Sequence, residues 1–336
     1  MSRTERKTGA RSRKSGRPSA PGADERSTAE LFTELRPLMF SIAYRMLSSA
    51  SEAEDVVQEA FLRLQQARDD GVEVSSPKAY LSTVVTRLSI DQLRSAPKRR
   101  ESYVGQWLPE PLLTDRQAVD PAANAEQADS LSMAFLLVLE RLTPVERAVF
   151  LLYDVFGYRY PEIAAIVGKT EPNCRQLAAR ARRYVKEEKP RFETSREERG
   201  RLAERFFAAV QGGDVDGLVA MLADDVVVYG DGGGKAPQWM LPIAGADKVA
   251  RLLDSVGRDV RENQIAIELH EVNGQPGAAL RTSDGQLISV FSLDIVEGVV
   301  QAVRSVINPD KLRHLGPVAD AFELRRRARE LRDGER

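Results

Sequence analysis

The chain has one cysteine, two histidines and two tryptophans in 336 residues, and only 6% of it is aromatic. A single cysteine, Cys174, cannot close an internal disulfide and reads as a small packed residue. No run of about twenty apolar residues occurs, which excludes a membrane-spanning helix. The first residues also lack the apolar core of a secretory signal. With one cysteine as well, the cytoplasm is the expected compartment. An excess of charge of one sign is missing too: 49 Lys and Arg stand against 50 Asp and Glu, a formal net charge of −1. Such a balance excludes uniform coating of nucleic acid, so any affinity for it must come from local basic stripes. What is present is enough apolar material, 42% of residues, to build two or three globular domains. No metal or cofactor is expected.

The strongest local pattern runs from Thr143 to Val185. Thr143, Pro144 and Glu146 form a capping box with proline at the first helical position. The apolar spacing of Val145, Val149, Phe150, Leu152 and Tyr153 then predicts a helix that stops near Gly157. A short helix fits Pro161 to Val167, Gly168 breaks it, and Thr170 caps a third helix from Glu171 through Lys189. Two helices separated by Gly168-Lys169-Thr170 have helix-turn-helix geometry, in which the later helix enters the major groove. Arg175, Gln176 and Arg180 are the candidate base readers, since arginine matches guanine and glutamine adenine. Arg182, Arg183, Lys186 and Lys189, farther along, suit phosphates. The alternative is an ordinary solvated face of a helical bundle.

Upstream, residues 1–29 hold eight Lys or Arg against three acidic residues, with almost no apolar side chains; this basic tail is expected to be disordered. Leu31, Leu35, Leu38, Ile42 and Met46 recur at helical spacing. Ser51 can cap a second helix with an acidic first turn, in which Val56, Val57, Ala60, Phe61 and Leu64 form the apolar stripe and Asp55, Gln58, Glu59 and Arg63 the polar face. Pro77 starts a third helix with Tyr80, Leu81, Val84, Val85 and Leu88 inward. Its outer stripe of Arg87, Asp91, Arg94, Lys98, Arg99 and Arg100 is a second candidate nucleic-acid surface. In the linker, Trp107-Leu108-Pro109-Glu110-Pro111 is held extended by its prolines and carries an apolar anchor, either as a ligand for a groove or packed on whatever lies nearest.

The C-terminal part reads as α+β: a helix with Leu202, Phe206, Phe207 and Val210, a short helix to Leu222, then strands at 226–230, 266–272, 277–282, 287–295 and 300–307. Asp225, Tyr229, Asp231 and His270 are the groups that could carry chemistry, but no spacing among them marks a catalytic pair. Asp231-Gly232-Gly233-Gly234-Lys235 reads as a loop of permissive backbone. It lacks the context of a phosphate-binding loop. The chain is therefore not expected to be an enzyme. Residues 317–336 pattern as a basic amphipathic helix, with Phe322, Leu324 and Leu331 against Arg325, Arg326, Arg327 and Arg329, or as a frayed end.

The runs SEAEDVVQEAFLRL at 51–64 and YLSTVVTRLSIDQLR at 80–94, followed by the helix-turn-helix, resemble extracytoplasmic-function (ECF) bacterial sigma factors. WLPEP at 107–111, DGGGK at 231–235 and NPDKL at 308–312 (Asn308, Pro309, Asp310, Lys311, Leu312) are similar to the group bearing a fused SnoaL-like C-terminal domain, the sigma-J type. The resemblance implies a multidomain fold: two all-α helical modules, the second a helix-turn-helix, followed by an α+β SnoaL/NTF-like cone. It also implies a division into tail (1–29), region-2-like domain (30–100), linker (101–129), region-4-like domain (130–190), cone domain (196–312) and basic tail (313–336). By resemblance Asp55, Val56, Val57, Gln58 and Glu59 dock on the β′ clamp helices of core RNA polymerase. Arg87, Asp91 and Arg94 serve the melted −10 element of promoter DNA, where an unstacked base has to be held. Thr170, Arg175, Gln176, Arg180, Arg182 and Arg183 serve the −35 element. The resemblance further implies that the extra domain stands in for a separate anti-sigma factor; DGGGK and Asn308–Leu312 are then expected to pack near Trp107–Pro111 or the first helical module, fixing the spacing between the two DNA-reading modules. A small ligand in the cone could bias that arrangement. The alternative function is a DNA-binding regulator fused to a SnoaL-type enzyme or ligand sensor.

Overall fold

The computed structural model of the chain describes residues 27–115, 129–188 and 195–326, and the side chains of 96–101 are outside that description. The basic tail before Ser27, the second half of the linker, Lys189, the side chains of Lys98, Arg99 and Arg100, and Arg327, Arg329 and Leu331 thus lie outside the described residues.

Three helices form the first module: α1 (Thr28–Leu47), α2 (Ala50–Asp69) and α3 (Pro77–Glu101). Helix α1 starts two residues before residue 30, because the Ser27 hydroxyl accepts from the Glu30 N–H and Glu30 returns the bond in a capping box. The cap of α2 is Ser49 rather than Ser51. The second module holds α4 (Met133–Leu139), α5 (Pro144–Phe150), a π turn (Leu151–Val155), α6 (Tyr160–Val167) and α7 (Glu171–Glu188). Thr143 caps α5 with Glu146 in the expected box. The helix expected to run unbroken toward Gly157 changes register at Leu151, a π bulge of the kind that relieves local crowding. Gly168, at φ +65°, ends α6 in the left-handed region that favours glycine.

The two modules share one core. Leu31, Met39, Val57, Leu81 and Val85 of the first pack in the same cluster as Phe135, Leu136, Phe150 and Ala181 of the second. Arg147 ties them through polar contacts: its Nε donates to the Leu139 carbonyl at 2.9 Å, and its Nη1 donates to the Met46 carbonyl at 2.5 Å and to Glu140 at 3.0 Å. Burial pulls this guanidinium down to about 9, which still leaves it a cation at neutral pH.

The third module is a six-stranded sheet with three helices on one face. Helices α8 (Arg196–Gly212) and α9 (Val215–Met221) precede β1 (Leu222–Asp231) and β2 (Ile243–Ala244). Then come α10 (Ala246–Glu262), β3 (Ala266–Val272), β4 (Gln275–Arg281), β5 (Leu287–Val296) and β6 (Val299–Val306). The order is β2-β1-β6-β5-β4-β3, antiparallel throughout except that β1 and β6 run parallel. Helix α10 was not read from the sequence, although Val249, Leu253 and Val260 are buried at helical spacing on it.

Alternation along the strands separates two faces. Val226, Val228, Ala278, Leu280, Phe291, Leu293 and Val303 point into the helices. Ala279, Val290 and Val306 point the other way, where they meet Leu108, Leu113, Met133 and Leu312. The nine residues of β5 from Leu287 to Ile295 are therefore all buried. One face is covered by the domain's own helices, and the other by the linker and α4. The linker adds a bridge to the sheet, Leu113 pairing antiparallel with Val272.

Arg147→Ala is expected to destabilise the chain by about 3 kcal/mol or more, because it takes the counter-charge from buried Glu140 and a donor from the Leu139 and Met46 carbonyls. Urea denaturation measures it, and a loss below about 1 kcal/mol would contradict the role given to this side chain.

Candidate polymerase, promoter and linker-anchoring sites

On α2 the five residues assigned to polymerase docking separate by helical geometry. Asp55 and Gln58 are exposed and Glu59 is partly so, paired with Arg63 at 2.7 Å. Val56 and Val57 are 2% and 0% exposed and belong to the core, so they lie beneath the exposed face of α2 rather than on it.

Between α2 and α3 lies an open groove of about 510 Å³ lined by Arg63, Tyr80, Thr83, Arg87 and Asp91, among others. Arg94 pairs with Asp91 at 3.1 Å. The loop 67–76 carries no aromatic side chain, but the groove has one in Tyr80, whose hydroxyl reaches the Arg63 carbonyl at 3.3 Å. Sequence reasoning had assigned Tyr80 to the interior; the first turn of α3 leaves it half-buried at the groove.

Arg87 is not free. Its guanidinium donates to the carbonyls of Ile166 at 2.8 Å and Ala165 at 3.0 Å, capping the C-terminus of α6, where an arginine also complements the helix dipole. Ser82 and Tyr158 add a hydroxyl pair at 2.7 Å. The first helix of the helix-turn-helix thus sits against α3.

On α7, Thr170 caps through its side chain to the Asn173 N–H at 3.4 Å. Three of the four arginines of this helix are given intramolecular partners: Arg175 pairs with Glu171 and lies 4.6 Å over Tyr160. Arg180 meets Glu146 at 3.2 Å. Arg182 donates twice to Asp154 at 2.7 and 3.0 Å and lies over Tyr153. Gln176 and Arg183 are exposed. Cys174 is buried.

The linker is held by a buried carboxylate. Asp231, 0% exposed at the end of β1, accepts from the Leu108 backbone N–H at 2.8 Å, from Lys311 Nζ at 2.7 Å and from the Tyr103 hydroxyl. Burial first, and then the Asp231 charge, push the Tyr103 hydroxyl far above its usual range, so it acts as a donor. Lys311 also donates to the Leu108 carbonyl, and its ammonium lies 4.3 Å from the Trp107 ring centroid and 4.9 Å from that of Tyr103. Asn308 donates to the Tyr103 oxygen at 2.8 Å. The structure thus brings WLPEP, DGGGK and NPDKL into one knot. Its glycines have a steric reason: a Cβ on Gly233 would fall 2.2 Å from Asn308 Nδ2 and one on Gly234 3.1 Å from Val104, both at positive φ. Lys235 closes the outside by pairing with Asp310, and Pro309 starts the 3-10 turn Pro309–Lys311.

Glu110 turns the other way, into the first module. Its carboxylate accepts from the Ala50 N–H at 2.8 Å, the Ser51 N–H at 3.0 Å and the Ser49 hydroxyl at 2.8 Å. It is an external cap on the very helix that presents Asp55 and Gln58, and a negative charge there is stabilised by the helix dipole. The Glu110 backbone is fixed as well, accepting from Tyr44 at 2.6 Å and donating to the Ser48 carbonyl at 3.0 Å. Tyr44 in turn accepts from Asn273 Nδ2 at 2.7 Å, and Asn273 Oδ1 accepts from the Leu112 N–H at 2.9 Å. Pro109 and Pro111 are buried between the two anchors. Tyr44 and Asn273 carried no distinguishing signal in the sequence.

The groups considered for catalysis do not converge. Asp225 bonds Gln301 at 2.8 Å, Tyr229 lies beneath Arg304, Asp231 is consumed by the knot, and His270 pairs with Asp115 at 2.8 Å. Among the described residues no cluster of three or more His, Cys, Asp or Glu could hold a metal ion, and no helix is long and apolar enough to cross a membrane.

Asp231→Asn is expected to cost about 3 kcal/mol, since it leaves the Lys311 ammonium buried without its counter-charge. Adding Lys311→Met to that variant restores at least half of the loss in urea denaturation; additive losses would contradict the pairing.

Comparison with known proteins agrees with this organisation. Family models for sigma-70 region 2, sigma-70 region 4 and a SnoaL-like domain match residues 31–99, 132–185 and 203–306. The ECF RNA polymerase sigma factor SigJ of Mycobacterium tuberculosis is 38% identical over 292 residues, covering 83% of this chain and 91% of the relative. The probable ECF sigma factor SigI of the same species is 31% identical over 279 residues, 82% of this chain and 92% of the relative. The crystal structure of SigJ superposes with a TM-score of 0.67 at 34% identity, covering 87% of this chain and all of that one. The chain belongs to the extracytoplasmic-function RNA polymerase sigma factors, and it carries a SnoaL-like domain behind its two sigma-70 regions.

Proposed function

We propose that this sigma factor joins core RNA polymerase through the exposed face of α2 around Asp55, Gln58 and Glu59, and that the SnoaL-like domain controls in cis how the two DNA-reading modules are spaced. The observation that carries the reading is the linker, which runs from the Asp231 knot to the cap of α2 through buried hydrogen bonds. Its course gives the C-terminal domain a direct hold on the polymerase-facing helix. Regulation rather than catalysis is the domain's role in this reading, and no separate anti-sigma protein is needed. The site of action is the cytoplasm, where polymerase and promoter DNA are.

Arg87 supports a closed resting state. An arginine that caps α6 is unavailable to a DNA backbone, so engagement of the −10 element requires the helix-turn-helix to leave α3. The groove beside it then offers Tyr80 as a stacking surface for an unpaired base and Arg63 and Arg94 as phosphate partners. On α7, Gln176 and Arg183 are ready for DNA, while Arg175 exchanges an exposed ion pair with Glu171, worth little, for contacts to the −35 element, and Arg180 leaves the buried Glu146.

Co-purification of the full chain with core RNA polymerase tests the docking face. Asp55→Ala with Gln58→Ala is expected to reduce retention at least tenfold without a change in thermal stability, and equal retention would refute the assignment. In transcription reconstituted from this chain, core polymerase and promoter DNA alone, Trp107→Ala should change transcript yield severalfold at unchanged polymerase retention. Unchanged yield would remove the linker from regulation.

A further inference from the structure

The two tyrosines that lie under arginines of α7 also touch each other. The rings of Tyr153 and Tyr160 stack with their centroids 4.4 Å apart and their planes 24° from parallel. With the Arg175 guanidinium 4.6 Å over Tyr160 and that of Arg182 4.5 Å over Tyr153, the four side chains form one continuous run of ring and cation contacts. It joins three elements: Tyr153 comes from the π turn, Tyr160 is the first residue of α6, and both arginines belong to α7.

Helical spacing puts the two arginines on one shoulder of α7, because residues seven apart face the same way. Ala178 between them is buried against the module's core, and Gln176 and Arg183 stand on the exposed side. The π turn brings Tyr153 and Asp154 together, and both reach Arg182, the ring through its face and the carboxylate at 2.7 and 3.0 Å. Widened turns of this kind occur often at functional sites. The rings are held differently. Tyr160 is partly buried and packs against the cluster of Val149, Ile163 and Cys174, whereas Tyr153 is 36% exposed. A ring so open to solvent gains little from burial, so core packing does not account for its place.

A ring and a carboxylate hold an arginine in different ways. Glu171 and Asp154 accept from the guanidinium N–H groups of Arg175 and Arg182, and a donor so engaged cannot bond DNA. A ring accepts none of them. It attracts the flat cation through its face and leaves the donors around the edge of the plane free. Arginine stacked on tyrosine therefore keeps the fork that matches O6 and N7 of guanine, and has already lost the rotamer freedom that binding would otherwise cost. The exposed pair with Glu171 gives way to DNA at little cost, while the stack has no need to break.

We propose that Tyr160 and Tyr153 are positioning residues of promoter recognition: Tyr160 orients Arg175 toward a base edge and Tyr153 orients Arg182 toward a phosphate, each ring staying on its arginine after the carboxylate has let go. The inference rests on the reading of α7 as the −35 helix. The two rings have separable effects, because base contacts specify a sequence whereas phosphate contacts add affinity to any sequence.

In the test, the full chain bound to core RNA polymerase selects from randomised duplex DNA, and the retained duplexes are sequenced. Arg175→Ala first identifies the base pairs that Arg175 reads, as those where preference disappears. Tyr160→Leu, which keeps an apolar side chain on the cluster, is expected to lower preference at the same base pairs by about fivefold or more. Tyr160→Phe, which keeps the ring, is expected to retain it. Binding of the selected duplex is then followed against salt concentration. Tyr153→Ala should reduce the slope of log affinity against log salt by about one with base preferences intact, and Tyr153→Phe should restore it. Full preference with Tyr160→Leu, a loss that Tyr160→Phe does not rescue, or an equal loss at every base pair overturns the role of the Tyr160 ring. An unchanged salt slope with Tyr153→Ala overturns that of Tyr153. If Arg175→Ala itself alters no preference, the −35 reading of α7 falls and the inference with it, an outcome distinct from the other three.

Discussion

A carboxylate buried as deeply as Asp231 has to be met by donors, and in this protein the donors come from outside its own strand. The Leu108 backbone, Lys311 and Tyr103 satisfy it together. A buried charge with one partner removed is costly, so the linker cannot leave β1 without a large penalty. The linker's other contacts follow its fixed start. With Leu108 fixed, Leu113 lies on the second face of the sheet beside Val272, and Glu110 falls at the start of α2. One sheet face that would otherwise need its own cover is covered by linker and α4, which is why β5 is buried from Leu287 to Ile295.

The charged residues of the helical modules have two sets of partners in this account. Arg87 caps a neighbouring helix, Arg182 grips Asp154 and Arg180 meets Glu146. Arg175, whose pair with Glu171 is exposed, can exchange it for phosphate or base edges at small cost. Arg87 differs because its partners are backbone carbonyls at a helix end, and exchanging them means separating α3 from α6. In the proposed reading, promoter binding and module separation are one event, and the linker sets how far the modules can part.

Much of this was legible in residue order. The capping box at Thr143, the glycine stop at Gly168 and the alternation of β5 and β6 are local signals, and the structure has each element there. The family resemblance likewise led to the right fold class. What was not legible depends on neighbours distant in sequence. Glu110 reads as a residue between two prolines, and only the fold makes it the cap of a helix sixty residues earlier. Asn273 looks like a hairpin residue, which its φ of +53° agrees with, yet its side chain joins Tyr44 to Leu112. Val56 and Val57 came to the docking segment with the motif of the resemblance, whereas their place on the apolar stripe already turned them inward, where the helix buries them. Helix α10 was missed although its apolar spacing was there to be counted.

The central claim is that the linker is as firmly built into the C-terminal domain as one of its strands. Native-state hydrogen exchange of the full chain, resolved to the Leu108, Glu110, Leu112 and Thr114 amides, measures that claim directly. Each of these amides donates to a protein acceptor. The account predicts exchange as slow as that of the central strands β4 and β5, proceeding only when the domain unfolds. Exchange of these four amides at rates close to those of exposed loops would contradict it.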